Sequence, residues 1–289
     1  MSKCGCIYVA FGRPYLVQAL HSFRTLRATN PSVPACVLTN TLPQVPEKLS
    51  DWDESKDIWI YVDAADSQNR LYKTDLPRYT PFDKTLYLDS DTEVHSDISG
   101  MFRMLDYWDV GLRLRDAGYP PDKPKGRQRV LDGAEVISNL PHWNGGVVLF
   151  RTDPRVQEFF SLWNQYFRAG KIPFDQVALV EAAFRSSCRI LSLDARWNSG
   201  PTWAPGPDQN RYIFHYTFRI NEELAGRLMA LEREIFGHSR ENGSGEASST
   251  SSFISHRQQH LVNRNRMYLW RLIKRRVKGL ARRVRSRGR

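Results

Sequence analysis

Apolar residues come in short blocks along this chain, separated by polar, glycine- or proline-bearing stretches, and the block lengths set the elements. Cys6-Ile7-Tyr8-Val9-Ala10-Phe11 is continuously apolar, as a strand buried on both faces requires. Pro14 suits the first turn of a helix, and Tyr15 to Phe23 repeats apolar residues at helical spacing. Ala35 to Thr39 and Asp57 to Val62 are predicted as the second and third strands. Gln68 to Leu76 is predicted to be helical, ending before Pro77. Lys84 to Leu88 is the fourth strand and Gly145 to Phe150 a later one. Pro154 to Phe167 is a helix with Val156, Phe159, Phe160, Trp163 and Phe167 on one side. Phe174 to Phe184 is another, with Asp175 as its N-cap. Gly200 to Asp208 is a loop rich in Pro and Gly, and Tyr212 to Tyr216 is a late strand. Strands alternating with helices predict an α/β protein with a largely parallel sheet flanked by helices.

The C-terminal region differs from this body. Residues 239–256 are rich in Ser, Gly and Asn and read as a flexible linker. Thirteen of the 42 basic residues lie between Arg257 and Arg289, with no acidic residue among them, which leaves 29 basic against 31 acidic elsewhere. The net charge of +11 and the pI of 9.6 therefore belong to the tail. A near-neutral body does not support a basic groove for nucleic acid across it. On a helical projection Leu269, Trp270, Ile273, Val277, Leu280 and Val284 share one arc of about 100°. Arg271, Lys274, Arg275, Lys278, Arg282 and Arg285 lie outside it. That is the pattern of a basic amphipathic helix lying in a membrane interface, where each cation near an anionic leaflet contributes about 1 kcal/mol. A partner or RNA contact, and a plain solubilising tail, are the alternatives for residues 257–289.

With 41% hydrophobic and 12% aromatic residues the body can build a sizeable core. No apolar stretch approaches the roughly 20 residues that span a bilayer, and the N-terminus lacks the apolar core of a signal peptide. Cys4 and Cys6 form a C-x-C with no second pair to complete a zinc site, so the four cysteines read as small buried thiols of a reducing compartment. These features predict a cytoplasmic protein, with the tail placing it on the inner face of a membrane.

The most informative chemistry is Asp89-Ser90-Asp91, directly after the fourth strand. Two carboxylates emerge where a buried strand ends, the rim at which open α/β sheets bind ligands. Paired oxygen ligands suit a hard divalent cation that shares its shell with substrate phosphates. Alone, such a triplet is also a common turn or cap. Asn144-Gly145-Gly146 opens a strand; it reads as a turn, or as a close backbone approach to a ligand with the Asn amide bonding a hydroxyl. Asp175-Gln176 places a carboxylate and an amide at a helix start, where they cap the helix or bind sugar hydroxyls. His215 sits among apolar residues, as a core histidine or as a third ligand to a metal held by carboxylates. Arg219, four residues on, is a solvated side chain or a phosphate contact.

In order these residues read strand-Asp-x-Asp, Asn-Gly-Gly, Asp-Gln, Trp197-Asn198 and a late His. That series resembles the retaining nucleotide-sugar glycosyltransferases of the GT-A fold, the group containing glycogenin and the bacterial lipopolysaccharide galactosyltransferases. The resemblance covers roughly residues 5–220, and Tyr87-Leu88-Asp89-Ser90-Asp91-Thr92 is its most specific stretch. It implies a GT-A-type catalytic domain over residues 1–238. That domain would use Mn²⁺ or Mg²⁺ to move a sugar, with retention, from a nucleotide-diphosphate donor, most simply a UDP-sugar, to an acceptor hydroxyl on a glycan, lipid or protein. Asp89, Asp91 and His215 would hold the metal, and Asp89 would also contact the ribose. Val9, Ala10 and Phe11 would line the base. Lys73 would contact the donor, with Arg70 its nearby competitor. Asn144 and Gly145 would border the donor sugar, Asp175 would bind its hydroxyls, and Gln176 would sit near the anomeric carbon. The sequence departs from the family at His215-Tyr216-Thr217-Phe218-Arg219, where the usual Gly and Lys are missing and Arg219 is the cation present.

Two other function classes compete. A nucleotidyltransferase on a similar sheet would carry a Gly-rich basic loop after the first strand, and Phe11-Gly12-Arg13-Pro14 is too short and glycine-poor for it. A non-catalytic protein binding membrane or nucleic acid through its tail would leave the polar series coincidental.

Overall fold

The computed structural model describes residues 3–41, 45–115, 140–170, 175–200, 210–217 and 220–237. The expected linker, the basic tail and Arg219 lie outside the described residues.

Four strands run parallel at the N-terminal side: β1 (Cys4–Ala10), β2 (Ala35–Thr39), β3 (Ile58–Tyr61) and β4 (Lys84–Leu88). Three more complete a seven-stranded sheet: β6 (Val110–Leu114), β7 (Trp143–Arg151) and β8 (Ile190–Ser192). The order is β3-β2-β1-β4-β7-β6-β8, and β7 alone runs against the others. The sheet is thus mostly parallel. Its β1–β4 boundary is where the strand order reverses, a topological switch point that opens a crevice at the strand ends. A separate two-stranded ribbon pairs β5 (Thr92–Val94) with β9 (Ile213–His215).

Helices cover both faces. The even-numbered side chains of β1 face α1 (Arg13–Thr29), where Ser22 Oγ donates to the Tyr8 hydroxyl at 3.3 Å. The odd-numbered ones, Ile7 and Val9, join Tyr87, Val148 and Phe150 in a core closed by α4 (Pro154–Ala169) and α5 (Asp175–Arg185). Val156, Phe159, Phe160 and Trp163 of α4 are all buried, as their spacing predicts, and Phe167 packs at the margin. Continuous apolar strands follow from burial on two sides.

The structure differs from the sequence reading in several elements. The helix expected over Gln68 to Leu76 is short, α2 (Asn69–Lys73), and Pro77 sits inside a 3₁₀ turn, Leu76–Arg78, whose first turn needs no amide hydrogen there. The third strand is shorter than expected because Asp57 leaves it to accept from Arg27 at 2.6 Å and from the Ala35 amide at 3.0 Å. The late strand pairs in the ribbon, outside the main sheet. Strands β5, β6 and β8, α3 (Ser99–Met104) and α6 (Glu222–Phe236) were not expected.

Candidate metal centre at the end of the fourth strand

Asp89 follows the last residue of β4, and its amide donates to the Gly146 carbonyl of the neighbouring β7 at 2.8 Å. Asp91 lies two residues on, where the chain enters β5. The ribbon then does the long-range work: Thr92 of β5 pairs with His215 of β9, and the Tyr216 amide donates to the Asp91 carbonyl at 2.9 Å. His215 Nε2 consequently stands 3.3 Å from Asp91 Oδ1 and 3.5 Å from Asp89 Oδ2. One donor atom from each of the three lies within 4.8 Å of the others, the one such group among the described residues. In an octahedral shell at about 2.1 Å, neighbouring ligands stand about 3.0 Å apart and opposite ones about 4.2 Å, and the two His–Asp separations fall between these values, so the group could hold a hard divalent cation.

A chain of hydrogen bonds sets the imidazole. The Gly146 amide can only donate, and it donates to Asn144 Oδ1 at 2.7 Å. Asn198 Nδ2 donates to the same oxygen at 3.2 Å, which turns Asn198 Oδ1 towards His215 Nδ1 at 3.3 Å. That oxygen can only accept, so Nδ1 carries a hydrogen and Nε2 is the atom presented to the carboxylates. Burial works against a charged imidazole here, but Asp91 and Asp89 outweigh it and raise the His215 pKa. Gly146 is what makes room: a Cβ there would stand 2.0 Å from the His215 Cε1. At Gly145 the nearest atoms would be 3.4 Å and 3.6 Å away, an ordinary contact. The close approach read into Asn-Gly-Gly thus falls at its second glycine, and what approaches is His215.

Beside the triad, the buried Lys73 ammonium joins two carboxylates, Asp89 Oδ1 at 2.9 Å and Asp175 Oδ2 at 3.0 Å. Burial pulls the Lys73 pKa down, but Asp175 and Asp89 overcome it and the net shift is upward. Burial likewise pushes Asp175 up, and Lys73 with Arg70 overcomes it, leaving that carboxyl below its ordinary value. Both groups are therefore charged at neutral pH. The Tyr87 hydroxyl, held protonated by burial and by the charge of Asp89, donates to Asp89 Oδ1. One oxygen of Asp89 is thus saturated by protein and the other faces His215.

The sequence-derived residues fall into groups. Asp89, Asp91, His215, Lys73, Asp175, Asn144 and Gly145 are brought together. Asp175 is the first residue of α5, where an N-cap was expected, and its carboxylate is engaged by Lys73 and, at 3.7 Å, by Arg70. Gln176 follows it, half-buried. Val9, Ala10 and Phe11 are fully packed, Phe11 edge-on to Tyr72 at 4.7 Å, so their side chains belong to the core. Just beyond them Gly12 takes a φ of 81°, and its amide donates to Asn40 at 2.8 Å. Asn198, Gly146 and Tyr87 lie within the motifs read from the sequence, which gave them no role of their own. Asn198 had a signal, since it follows Trp197 in the ordered series; Tyr87 had only its place two residues before Asp89. Thr217, two residues after His215, has a φ of 49°, a left-handed conformation that a β-branched residue rarely adopts.

No family model matches the chain, and no curated protein matches its sequence. Solved structures do match in three dimensions. A galactosyltransferase, LgtC, in complex with donor and acceptor sugar analogues is 15% identical, with a TM-score of 0.56 over 82% of this chain and 98% of that one. Mouse xyloside xylosyltransferase 1, in its apo form, is 14% identical, with a TM-score of 0.52 over 74% of this chain and 97% of that one. The glycosyltransferase GlyE of Streptococcus pneumoniae TIGR4 is 17% identical, with a TM-score of 0.53 over 86% of this chain and 66% of that one. The fold is that of the GT-A glycosyltransferases.

Proposed function

We propose that this protein transfers a sugar from a nucleotide-diphosphate donor, most simply a UDP-sugar, to an acceptor hydroxyl, with retention at the anomeric carbon. The observation that carries the reading is the convergence of Asp89, Asp91 and His215 at the end of β4, in a fold shared with sugar transferases. The three would hold Mn²⁺ or Mg²⁺, which supplies positive charge to the oxygens of a departing diphosphate.

The chain's own groups divide the remaining tasks. Asn198 keeps His215 Nε2 facing inward. Lys73 ties Asp89 to Asp175, so a ligand carboxylate and a carboxylate of the sugar subsite share one rigid cation. Asp175 and Gln176 would meet the sugar hydroxyls and the anomeric carbon. The Oδ1 of Asn144 is committed to Gly146 and Asn198, which leaves its amide hydrogens for a hydroxyl and the Gly145 backbone for the sugar's edge. Since Val9, Ala10 and Phe11 bury their side chains, a base would be met by backbone there. Arg219 is the cation assigned to the diphosphate. No helix among the described residues is long and apolar enough to cross a membrane, and an acceptor at an anionic membrane surface would give residues 257–289 their purpose.

Thermal unfolding with nucleotide tests the reading. UDP or GDP should raise the midpoint only when Mn²⁺ is present, and Asp91→Asn should remove both that protection and metal-dependent donor hydrolysis. Protection without metal, or unchanged hydrolysis in the variant, would place the chemistry elsewhere.

A further inference from the structure

Glu93 is a charged side chain with almost no exposure, 4%, and it lies two residues past Asp91 on β5 without facing the metal triad. Its two oxygens gather groups from four segments. Oε1 is 2.7 Å from His21 Nε2 of α1 and 3.2 Å from Arg227 Nη2 of α6. Oε2 accepts from the Tyr216 hydroxyl at 3.0 Å and lies 3.5 Å from His95 Nε2. A carboxylate so far from water is stabilised by such partners, and removing one member of a buried polar network costs more than the bond itself.

The geometry of the Tyr216 contact gives this cluster a purpose beyond stability. Tyr216 is the residue after His215, and it is bonded twice to the strand that follows Asp91. Its amide donates to the Asp91 carbonyl and its hydroxyl to the Glu93 carboxylate. The stretches Asp91–Glu93 and His215–Tyr216 are therefore cross-linked at both ends. The ribbon they form has only two strands and lies outside the main sheet, and such a ribbon is marginal alone. Ser22 and Thr25 of α1 bond Thr92 and Val94 of the ribbon at 2.8 Å and 2.9 Å, and Glu93 adds ties to His21 of α1 and Arg227 of α6, with Leu224 and Leu228 lining a small cavity beside Asp91.

We propose that Glu93 is a positioning residue for the metal centre: its carboxylate clamps the β5–β9 ribbon so that Asp91 and His215 converge on one cation. This rests on the reading of Asp89, Asp91 and His215 as metal ligands. Outer groups bonded directly to the ligands typically change metal affinity tenfold to a hundredfold when altered, and Glu93 acts one step further out, through Tyr216 and the ribbon backbone. The clamp works through the backbone of the ribbon, with no contact of its own to the cation.

The test is Mn²⁺ titration of the whole chain, following the free-ion signal by electron paramagnetic resonance. It compares wild type, Glu93→Gln, Tyr216→Phe and Asp91→Asn, with metal-free thermal midpoints measured alongside. Glu93→Gln should weaken Mn²⁺ binding by up to about tenfold, the lower end of the range for direct partners, and Tyr216→Phe, which removes only the hydroxyl, should weaken it in the same direction. A purely structural Glu93 would lower the metal-free midpoint and leave the Mn²⁺ dissociation constant unmoved, and that result overturns the proposal. If Glu93→Gln does not fold, Tyr216→Phe decides alone: unchanged Mn²⁺ affinity in that variant refutes the clamp. If wild type itself binds no Mn²⁺, or Asp91→Asn binds it equally well, the reading of the triad falls, which is a separate outcome.

Discussion

Gly145 and Gly146 are adjacent, chemically identical and unequal. At Gly146 an added methyl would occupy the space of the His215 ring, and the ring is held from the other side by Asn198. Gly146→Ala should therefore destabilise the fold by about 1–3 kcal/mol, the range for overpacking a tight core, and should abolish Mn²⁺ binding. Gly145→Ala should stay within about 1 kcal/mol of wild type, since the new carbon meets only ordinary contacts and the unfolded chain loses freedom. Paired thermal melts and Mn²⁺ titrations check both, and equal behaviour of the two variants would disprove the seating of His215 on Gly146. The same reasoning explains why the second glycine could not be told from the first in the sequence: both offer a missing side chain, and only β9 shows which one is used. Asp89 and Asp91 were legible because strand and carboxylates are contiguous, so local pattern and chemistry coincide. Glu93 was not, because its partners come from α1, α6 and the turn after β9, and no local spacing encodes them.

Elements show the same division. Strands β1, β2 and β4 are continuous apolar runs and were readable, as were the amphipathic α4 and the start of α5. The missed strands are short, and their identity comes from neighbours. β8 has three residues and is held at its entry by Asp109 at the head of β6. That carboxylate is fully buried; it accepts from the Arg189 amide at 2.9 Å and from the Arg189 guanidinium at 2.9 Å, and Arg151 Nη2 stands 2.6 Å away. The Arg189 contact leads in holding its carboxyl down at about 2. A depressed carboxyl stabilises the fold fully above its unfolded value, near 4, and loses that contribution as pH falls through the folded value. Asp109→Asn should thus be less stable than wild type at neutral pH by on the order of 2 kcal/mol, and the gap should close between about pH 4 and pH 2. Denaturant unfolding over that pH range measures it; a gap that persists at pH 2 would mean the ion pairs are not its source.

For the molecule as a whole, charge is unevenly distributed. The body balances its acids and bases, whereas residues 257–289 carry thirteen cations and no anion. A body of that kind can house a site whose charges are spent on one another, as Lys73, Asp89 and Asp175 are, and the proposed attraction to an anionic surface would fall to the tail. Removing residues 257–289 should abolish co-sedimentation with vesicles containing anionic lipid and leave metal-dependent nucleotide protection in place. Equal sedimentation of the full and shortened chains would dismiss membrane docking, and loss of nucleotide protection would show that the two tasks are not separable.

Thr217 closes the turn that carries His215 out of the ribbon, and its backbone sits where a β-branched residue costs on the order of 1–3 kcal/mol. That cost falls two residues past the imidazole, and the packing of the folded chain around the turn is what meets it; a glycine at this position would carry no such cost.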